Sequence, residues 1–226
     1  FASVETDGGW ASAGQQVQVV VATSLPDGAP FPTKGTLVVE EVSYTGDNGM
    51  VAAEAKVEEL PVVTDAHGPT RISWRAPRTG QFKLTFKAKD AWGTEVNAST
   101  VVWVAGPGFK GGAYRMNGVE LIPDKRTYRA GEVAHVLLNV DAAGASVLLA
   151  TKVDQGQLVD WSVIDMPDKS RVIDIPITAA HAPNFFIEAT TVGDAELFSE
   201  ARELFVPPEG SELALSIEGV RPEYRP

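Results

Sequence analysis

Three histidines, His67, His135 and His181, have the widest chemical repertoire in this chain of 226 residues, which contains no cysteine. None sits in a His-Glu-x-x-His or His-x-His pair, so a zinc site has no local support. His67 falls in a turn and His135 shares a strand face with Asn139; all three read as ordinary surface residues. No Gly-x-Ser-x-Gly elbow is present, and nothing in the sequence points to a long-range triad. Glu40-Glu41 and Glu58-Glu59 are adjacent acids, but strand neighbours point to opposite faces, so neither pair converges as two glycosidase carboxylates must. No Asp-x-Asp loop marks a calcium site. Gly106, Gly108, Gly111 and Gly112 lack the Lys-Ser/Thr of a phosphate loop and read as linker glycine. Asn97-Ala98-Ser99 fits the N-glycosylation tripeptide, a pattern short enough to arise by chance. The expectation is a chain with no catalytic, cofactor-binding or metal residue, and no cofactor.

The five tryptophans are Trp10, Trp74, Trp92, Trp103 and Trp161. Exposed in a row they would stack on sugar rings. Trp74, Trp103 and Trp161 instead sit inside alternating strands, where a core role is expected; Trp10 and Trp92 lie near turns and stay open between the two.

The elements that must position these residues are strands. Phe82, Leu84, Phe86 and Ala88 alternate with Lys83, Thr85, Lys87 and Lys89, which places the first set on a buried face. Val17, Val19 and Val21 alternate with Gln16 and Gln18, and Val159, Trp161 and Val163 with Asp160 and Ser162. Further strands are expected over 37–42, 56–63, 71–74, 96–104, 133–140, 146–153, 172–177, 185–192 and 197–206. Turn signals separate them, such as Pro26-Asp27-Gly28 and Pro77-Arg78-Thr79-Gly80. Residues 50–60 contain good helix formers and are open between a short helix and a long loop beside a strand. Short strands at this spacing predict β-sandwiches.

Hydrophobic residues make up 44%, enough for a packed core, and the length suits two domains of about 100 residues. The net charge of −11 disfavours nucleic acid and anionic lipid as partners. No apolar run reaches the roughly 20 residues that cross a bilayer. The opening at Phe1 and the stop at Arg225-Pro226 read as an excised piece of a longer protein.

Five glycines within 106–118 mark the seam, read as a solvated linker between two independently folded sandwiches. A faint repeat supports the division. Trp10 and Gly14 precede the strand at Val17, and Tyr128 and Gly131 precede the strand at Val133; in each, the ring is expected to cap a core and Gly to turn the chain. A third start follows at Leu213, Leu215 and Ile217 with Tyr224. The expected organisation is a sandwich over 1–106, a Gly-rich linker over 107–118, a second sandwich over 119–207, and the start of a following module over 208–226.

Leu121, Asp124-Lys125, Tyr128 and Gly131-Glu132 together resemble the opening of a macroglobulin-like domain of the α2-macroglobulin family. Ile175-Pro176-Ile177 and Ala182-Pro183-Asn184-Phe185 resemble its later strands. In the first half Thr64-Asp65, Gly68, Ala76-Pro77, Gly80-Gln81-Phe82, Asp90 and Gly93, closed by Val102-Trp103-Val104, resemble the preceding domain. The resemblance implies two tandem antiparallel β-sandwich domains of macroglobulin-like, immunoglobulin/fibronectin type III-like form. It implies a parent that is a protease trap, cut in a bait segment and often armed with a Cys-Gly-Glu-Gln thioester. Without Cys this chain holds no thioester, and its second half leaves no room for a long bait insertion. The implied role is a non-catalytic scaffold segment of an endopeptidase inhibitor of bacterial type. The location expected is extracytoplasmic: bacterial periplasm, cell envelope or secreted. Its partners would be neighbouring macroglobulin-like domains, and target proteinases through the parent, with no nucleic acid and no membrane contact. The competing class is a cell-surface carbohydrate-binding or adhesin-like module pair.

Overall fold

The computed structural model describes residues 1–45, 51–90, 92–106, 108–153 and 156–208. The first half forms β1 (Ala2–Thr6), β2 (Trp10–Ser12), β3 (Gln16–Thr23), β4 (Thr33–Thr45), β5 (Val51–Thr64), β6 (Thr70–Arg75), β7 (Gly80–Lys89) and β8 (Glu95–Ala105). A three-stranded sheet, β1-β3-β6, packs on a five-stranded one, β2-β8-β7-β4-β5. Pairing is antiparallel except between β2 and β8, which run parallel. The alternation around Phe82 is realised in β7: Phe82, Leu84 and Phe86 are fully buried, each contributing about 1.5–3 kcal/mol by leaving water. They meet Val19, Val21 and Trp74 of the smaller sheet, with the Trp74 and Phe82 rings 5.3 Å apart.

The described residues from 51 onward resolve the stretch left open over 50–60: it is the beginning of β5, paired from Thr45↔Val51 to Thr33↔Thr64. Cross-strand pairing with β4 overrides the helix propensity of its Ala, Glu and Lys residues, which is a weak preference. Met50 lies outside the described residues.

The second half forms β9 (Val119–Pro123), β10 (Val133–Val140), β11 (Ala145–Val153), β12 (Gln157–Met166), β13 (Ser170–Pro176), β14 (Asn184–Gly193) and β15 (Glu196–Phe205), with a short 3-10 turn at Ala179–His181. Its sheets are β13-β10-β9 and β12-β11-β14-β15. Leu121, Tyr128, Val136 and Leu138 close the core against Val147, Phe185, Ile187 and Leu204. The chain is thus all-β, two sandwiches in tandem. No helix among the described residues is long and apolar enough to cross a membrane.

Candidate functional site

A third apolar cluster belongs to neither sandwich. Trp103 and Ala105 from the end of β8, Met116 from the connecting segment and Leu137 from β10 are buried together. Trp10, Phe109, Tyr114 and Ile122 pack around them. The Trp103 ring stands edge-on to Tyr114 at 5.2 Å and lies 6.2 Å from Phe109, while Phe109 and Tyr114 are 5.8 Å apart. Such aromatic pairs add about 0.5–1.5 kcal/mol each beyond area burial. Leu137 faces outward from its own sheet, so the first sandwich and the connecting segment cover it.

Polar bonds fix the same contact. Trp10 Nε1 donates to the His135 carbonyl at 3.0 Å, and the Gly9 amide donates to the Pro123 carbonyl at 3.3 Å. Lys110 pairs with Asp168 at 3.3 Å, and Lys169 Nζ donates to the Tyr114 carbonyl at 3.5 Å. Burial pushes the Tyr114 hydroxyl above the usual phenol value, reinforced by the nearby Glu41 carboxylate. Glu41 in turn forms an ion pair with Arg78. Two glycines permit the approach: a Cβ on Gly8 would stand 2.0 Å from the Asp124 carbonyl oxygen, and one on Gly9 2.4 Å from Ile122 Cγ2.

The reading of 106–118 as a solvated linker is therefore corrected. Met116 is buried, and Phe109 and Tyr114 are held between the sandwiches. The glycine count captured the entropy of the stretch but not its three large apolar side chains, which were the signal available in the sequence.

A second constellation lies within the second sandwich, at the turn into β10. The Tyr128 hydroxyl lies 2.7 Å from Asp124 Oδ1 and 2.9 Å from the Lys125 carbonyl, and accepts from the Lys125 amide at 3.1 Å. Asp124 Oδ1 also accepts from the His135 amide at 3.0 Å. Burial, then the Asp124 carboxylate, pushes the Tyr128 hydroxyl well above its ordinary range, so it stays a neutral donor. Glu132 Oε2 accepts from the Arg129 amide at 3.1 Å and from Lys125 Nζ at 3.2 Å. Those bonds, the first foremost, hold the Glu132 carboxyl below the usual value. Asp124, Lys125, Tyr128 and Glu132 of the Asp-Lys, Tyr, Gly-Glu pattern thus each have a local structural task.

The remaining candidates are scattered. His67 is exposed beside Asp65, and His135 Nδ1 lies 2.7 Å from Asp174 Oδ1. His181, expected at the surface, is buried: it stacks on Phe185 at 4.5 Å and its Nδ1 accepts from the Thr178 amide at 3.0 Å. Burial lowers its pKa. Among the described residues no group of three or more His, Asp or Glu is placed to hold a metal ion. Trp74 and Trp103 are buried, as their alternation implies, but Trp161 is 62% exposed on β12. Trp92 is 88% exposed between β7 and β8 of the other sandwich, so the two exposed indoles do not share a platform. A cleft of about 570 Å³ beside the seam is lined by Glu5, Gly8, Ile122, Arg126, Arg202 and Glu203. Its charges are mixed, and it contains no nucleophile paired with a base. The arrangement joins the two sandwiches through a shared apolar cluster.

Residues 119–226 match the family model of the alpha-2-macroglobulin bait region domain. That match extends past 208, where the described residues end. Between β9 and β15 the longest connection among the described residues runs over 124–132. Among similar solved structures is the native conformation of E. coli alpha-2-macroglobulin, 15% identical, covering 88% of this chain and 14% of that one with a TM-score of 0.36. The same E. coli protein activated by porcine elastase is 11% identical over 87% of this chain and 22% of that one, with a TM-score of 0.32. The fibronectin(III)-like modules of Clostridium thermocellum CbhA are 15% identical over 96% of this chain and 100% of that one, with a TM-score of 0.30. No curated protein matches. The chain spans 14% of the native E. coli chain, a small part of its length.

Proposed function

We propose that this chain, whose residues 119–226 match the alpha-2-macroglobulin bait region domain, is a non-catalytic scaffold segment of a large endopeptidase inhibitor of the protease-trap kind. The observation that carries the reading is the seam. A trap that rearranges after cleavage transmits motion only through parts that keep their shape, and Trp103, Met116, Leu137 and Tyr114 give the two sandwiches a shared core. Capture chemistry belongs elsewhere in the parent, because a thioester needs a cysteine and this chain has none. Its partners in this reading are neighbouring macroglobulin-like domains, with proteinases met through the parent, in an extracytoplasmic setting such as a bacterial periplasm.

The experiment is proteinase activity toward a large protein substrate with the chain in excess, using trypsin, chymotrypsin and elastase. Activity unchanged beyond simple substrate competition is the expected result. Inhibition by the isolated chain would overturn the scaffold role.

A further inference from the structure

At the corner where the first sandwich meets the second, the two repeat each other residue by residue. A constant shift in numbering carries the pair Val4↔Val21 onto Leu121↔Leu138. The same shift carries the Asp7 amide on the Gln18 carbonyl, at 3.4 Å, onto the Asp124 amide on the His135 carbonyl, at 2.9 Å. The Trp103 amide donates to the Gly9 carbonyl at 3.1 Å, and the Phe205 amide to the Arg126 carbonyl at 2.9 Å. Trp10 and Trp103 pair in parallel, as Thr127 and Phe205 do. Phe205 therefore stands where Trp103 stands, and Arg126 where Gly9 stands.

Their surroundings differ. Trp103 is 5% exposed, covered by Met116 and by Leu137 of the next sandwich, whereas Phe205 is 45% exposed. Gly9 abuts Ile122 and Pro123 of the next sandwich. Arg126 is exposed and lines, with Phe205, the cleft beside the seam. Glu5 and Glu203 line that cleft too, yet among the described residues Arg126 has no ion-pair partner. The sequence supplies one. Val119, Leu121 and Tyr128-Arg129 recur at identical spacing as Leu215, Ile217 and Tyr224-Arg225. On that alignment Glu218 takes the place of Ile122, on the face opposite Ile217. Where the first seam sets Gly9 against isoleucine, the next junction sets Arg126 against glutamate. The stretch from Phe205 to Leu215 is shorter than that from Trp103 to Val119 and contains no aromatic between its ends, so nothing in it replaces Phe109 or Tyr114.

We propose that the corner formed by Arg126 and Phe205 is the docking site of a third sandwich, opened by residues 213–224, with Glu218 paired to Arg126 and the new module covering Phe205. Opposite charges fix the register of this junction, and Phe205 supplies its apolar contact. Lys125 and Arg126 stand where Gly8 and Gly9 allow the close backbone approach of the first seam, so that approach is not repeated and the junction is looser. The inference names a partner for the scaffold role proposed above. It stands on the internal repeat, so its failure would leave the proteinase assay, and the reading that assay tests, unaffected.

The test uses the parent protein with the third module whole, and reads amide hydrogen exchange across 203–208 and 213–220 at low salt. Arg126→Glu and Glu218→Arg should each speed exchange in both segments about two- to fivefold, the range for an exposed ion pair. The two reversals together should return exchange to the parent rate, which separates pairing from any separate damage done by either change. Phe205→Ser should speed exchange in 213–220 whatever the charges. Arg171→Glu, on β13 of the other sheet, should leave both segments unchanged. Single reversals without effect, a double reversal no slower than the singles, or a Phe205→Ser protein that exchanges at the parent rate would each overturn the proposal.

Discussion

In the first sandwich the chain enters β3 through Ser12, Gly14 and Gln15; in the second it enters β10 through Arg129, Gly131 and Glu132. Bond for bond the two turns correspond. Gln15 and Glu132 amides donate to the Ser12 and Arg129 carbonyls at 3.0 and 3.1 Å, and their side chains take the Ser12 and Arg129 amides at 2.9 and 3.1 Å. Gly14 and Gly131, at φ +84° and +92°, donate to the Ala76 and Ile177 carbonyls at 2.8 Å. The aromatics differ. Tyr128 fills its own core, whereas Trp10, expected to cap one, lies at the seam with its Nε1 on the His135 carbonyl. The turn is set by backbone needs, which leaves the ring free to serve either the core or the neighbour.

The largest effect expected from this difference is at Tyr128. Tyr128→Ala removes a fully buried ring and leaves Asp124 and the Lys125 amide without their hydroxyl, a loss of about 3–5 kcal/mol in denaturant unfolding of the second sandwich. Trp10→Ala should leave both sandwich cores close to parent stability while loosening the seam. Equal losses at the two positions would break the comparison.

Gly8→Ala attacks the seam from the backbone. Its Cβ meets the Asp124 carbonyl, where nothing yields cheaply, so the contact must open at a cost of about 1–3 kcal/mol. Brief trypsin treatment should then cut at Lys110 or Arg115 faster than in the parent, with both sandwiches still β-rich by circular dichroism. Unchanged cutting would mean that the connecting segment is exposed without this opening.

Most strands were legible because a period of two is a direct consequence of pleated backbone meeting one buried face: β3 and β14 follow it residue by residue, while β7 and β10 follow it until Thr85 and Leu137, which are buried on the other face. β1 and β2 were not, being five and three residues long, with β2 paired in parallel to β8. Trp161 shows the limit of the method. It alternates as Trp74 does, yet none of the described residues covers its face, and period alone does not say which faces are covered. The seam was hidden for a related reason: Trp10, Phe109 and Leu137 come together only after both sandwiches exist.

Gly14→Ala and Gly131→Ala sharpen the shared half of the comparison. Neither glycine has an atom within 4 Å of an added Cβ, so only left-handed backbone strain is incurred, about 1–2 kcal/mol at each. The denaturant midpoints of the two sandwiches should fall by similar amounts. A cost confined to one site would show that the turns match in geometry but not in load.

The smallest effect separates the turns by pH. Gln15 holds the Ser12 amide with a neutral oxygen, whereas Glu132 holds the Arg129 amide with a carboxylate that also meets Lys125. The Glu132 carboxyl is held below its unfolded value by the Arg129 amide first and by Lys125 next. Its unfolded form therefore binds a proton at higher pH than its folded form. The stability it contributes is fully present above the unfolded pKa and is lost as pH falls through the folded one. Gln15 demonstrates that an amide oxygen sustains this turn, so Glu132→Gln should keep the fold and the Arg129 bond while losing the charge. The variant should unfold slightly more easily than the parent near neutral pH and equally easily in acid. Other carboxylates titrate in both proteins and cancel in the difference. Gln15→Glu is the converse: it should give the first sandwich a similar acid-sensitive increment, with Arg75, whose Nη1 donates to the Gly14 carbonyl at 3.0 Å, as a cation bonded at that turn. A parent-to-variant gap that stays constant from about pH 7 to about pH 3 would show that the Glu132 charge contributes nothing to its turn.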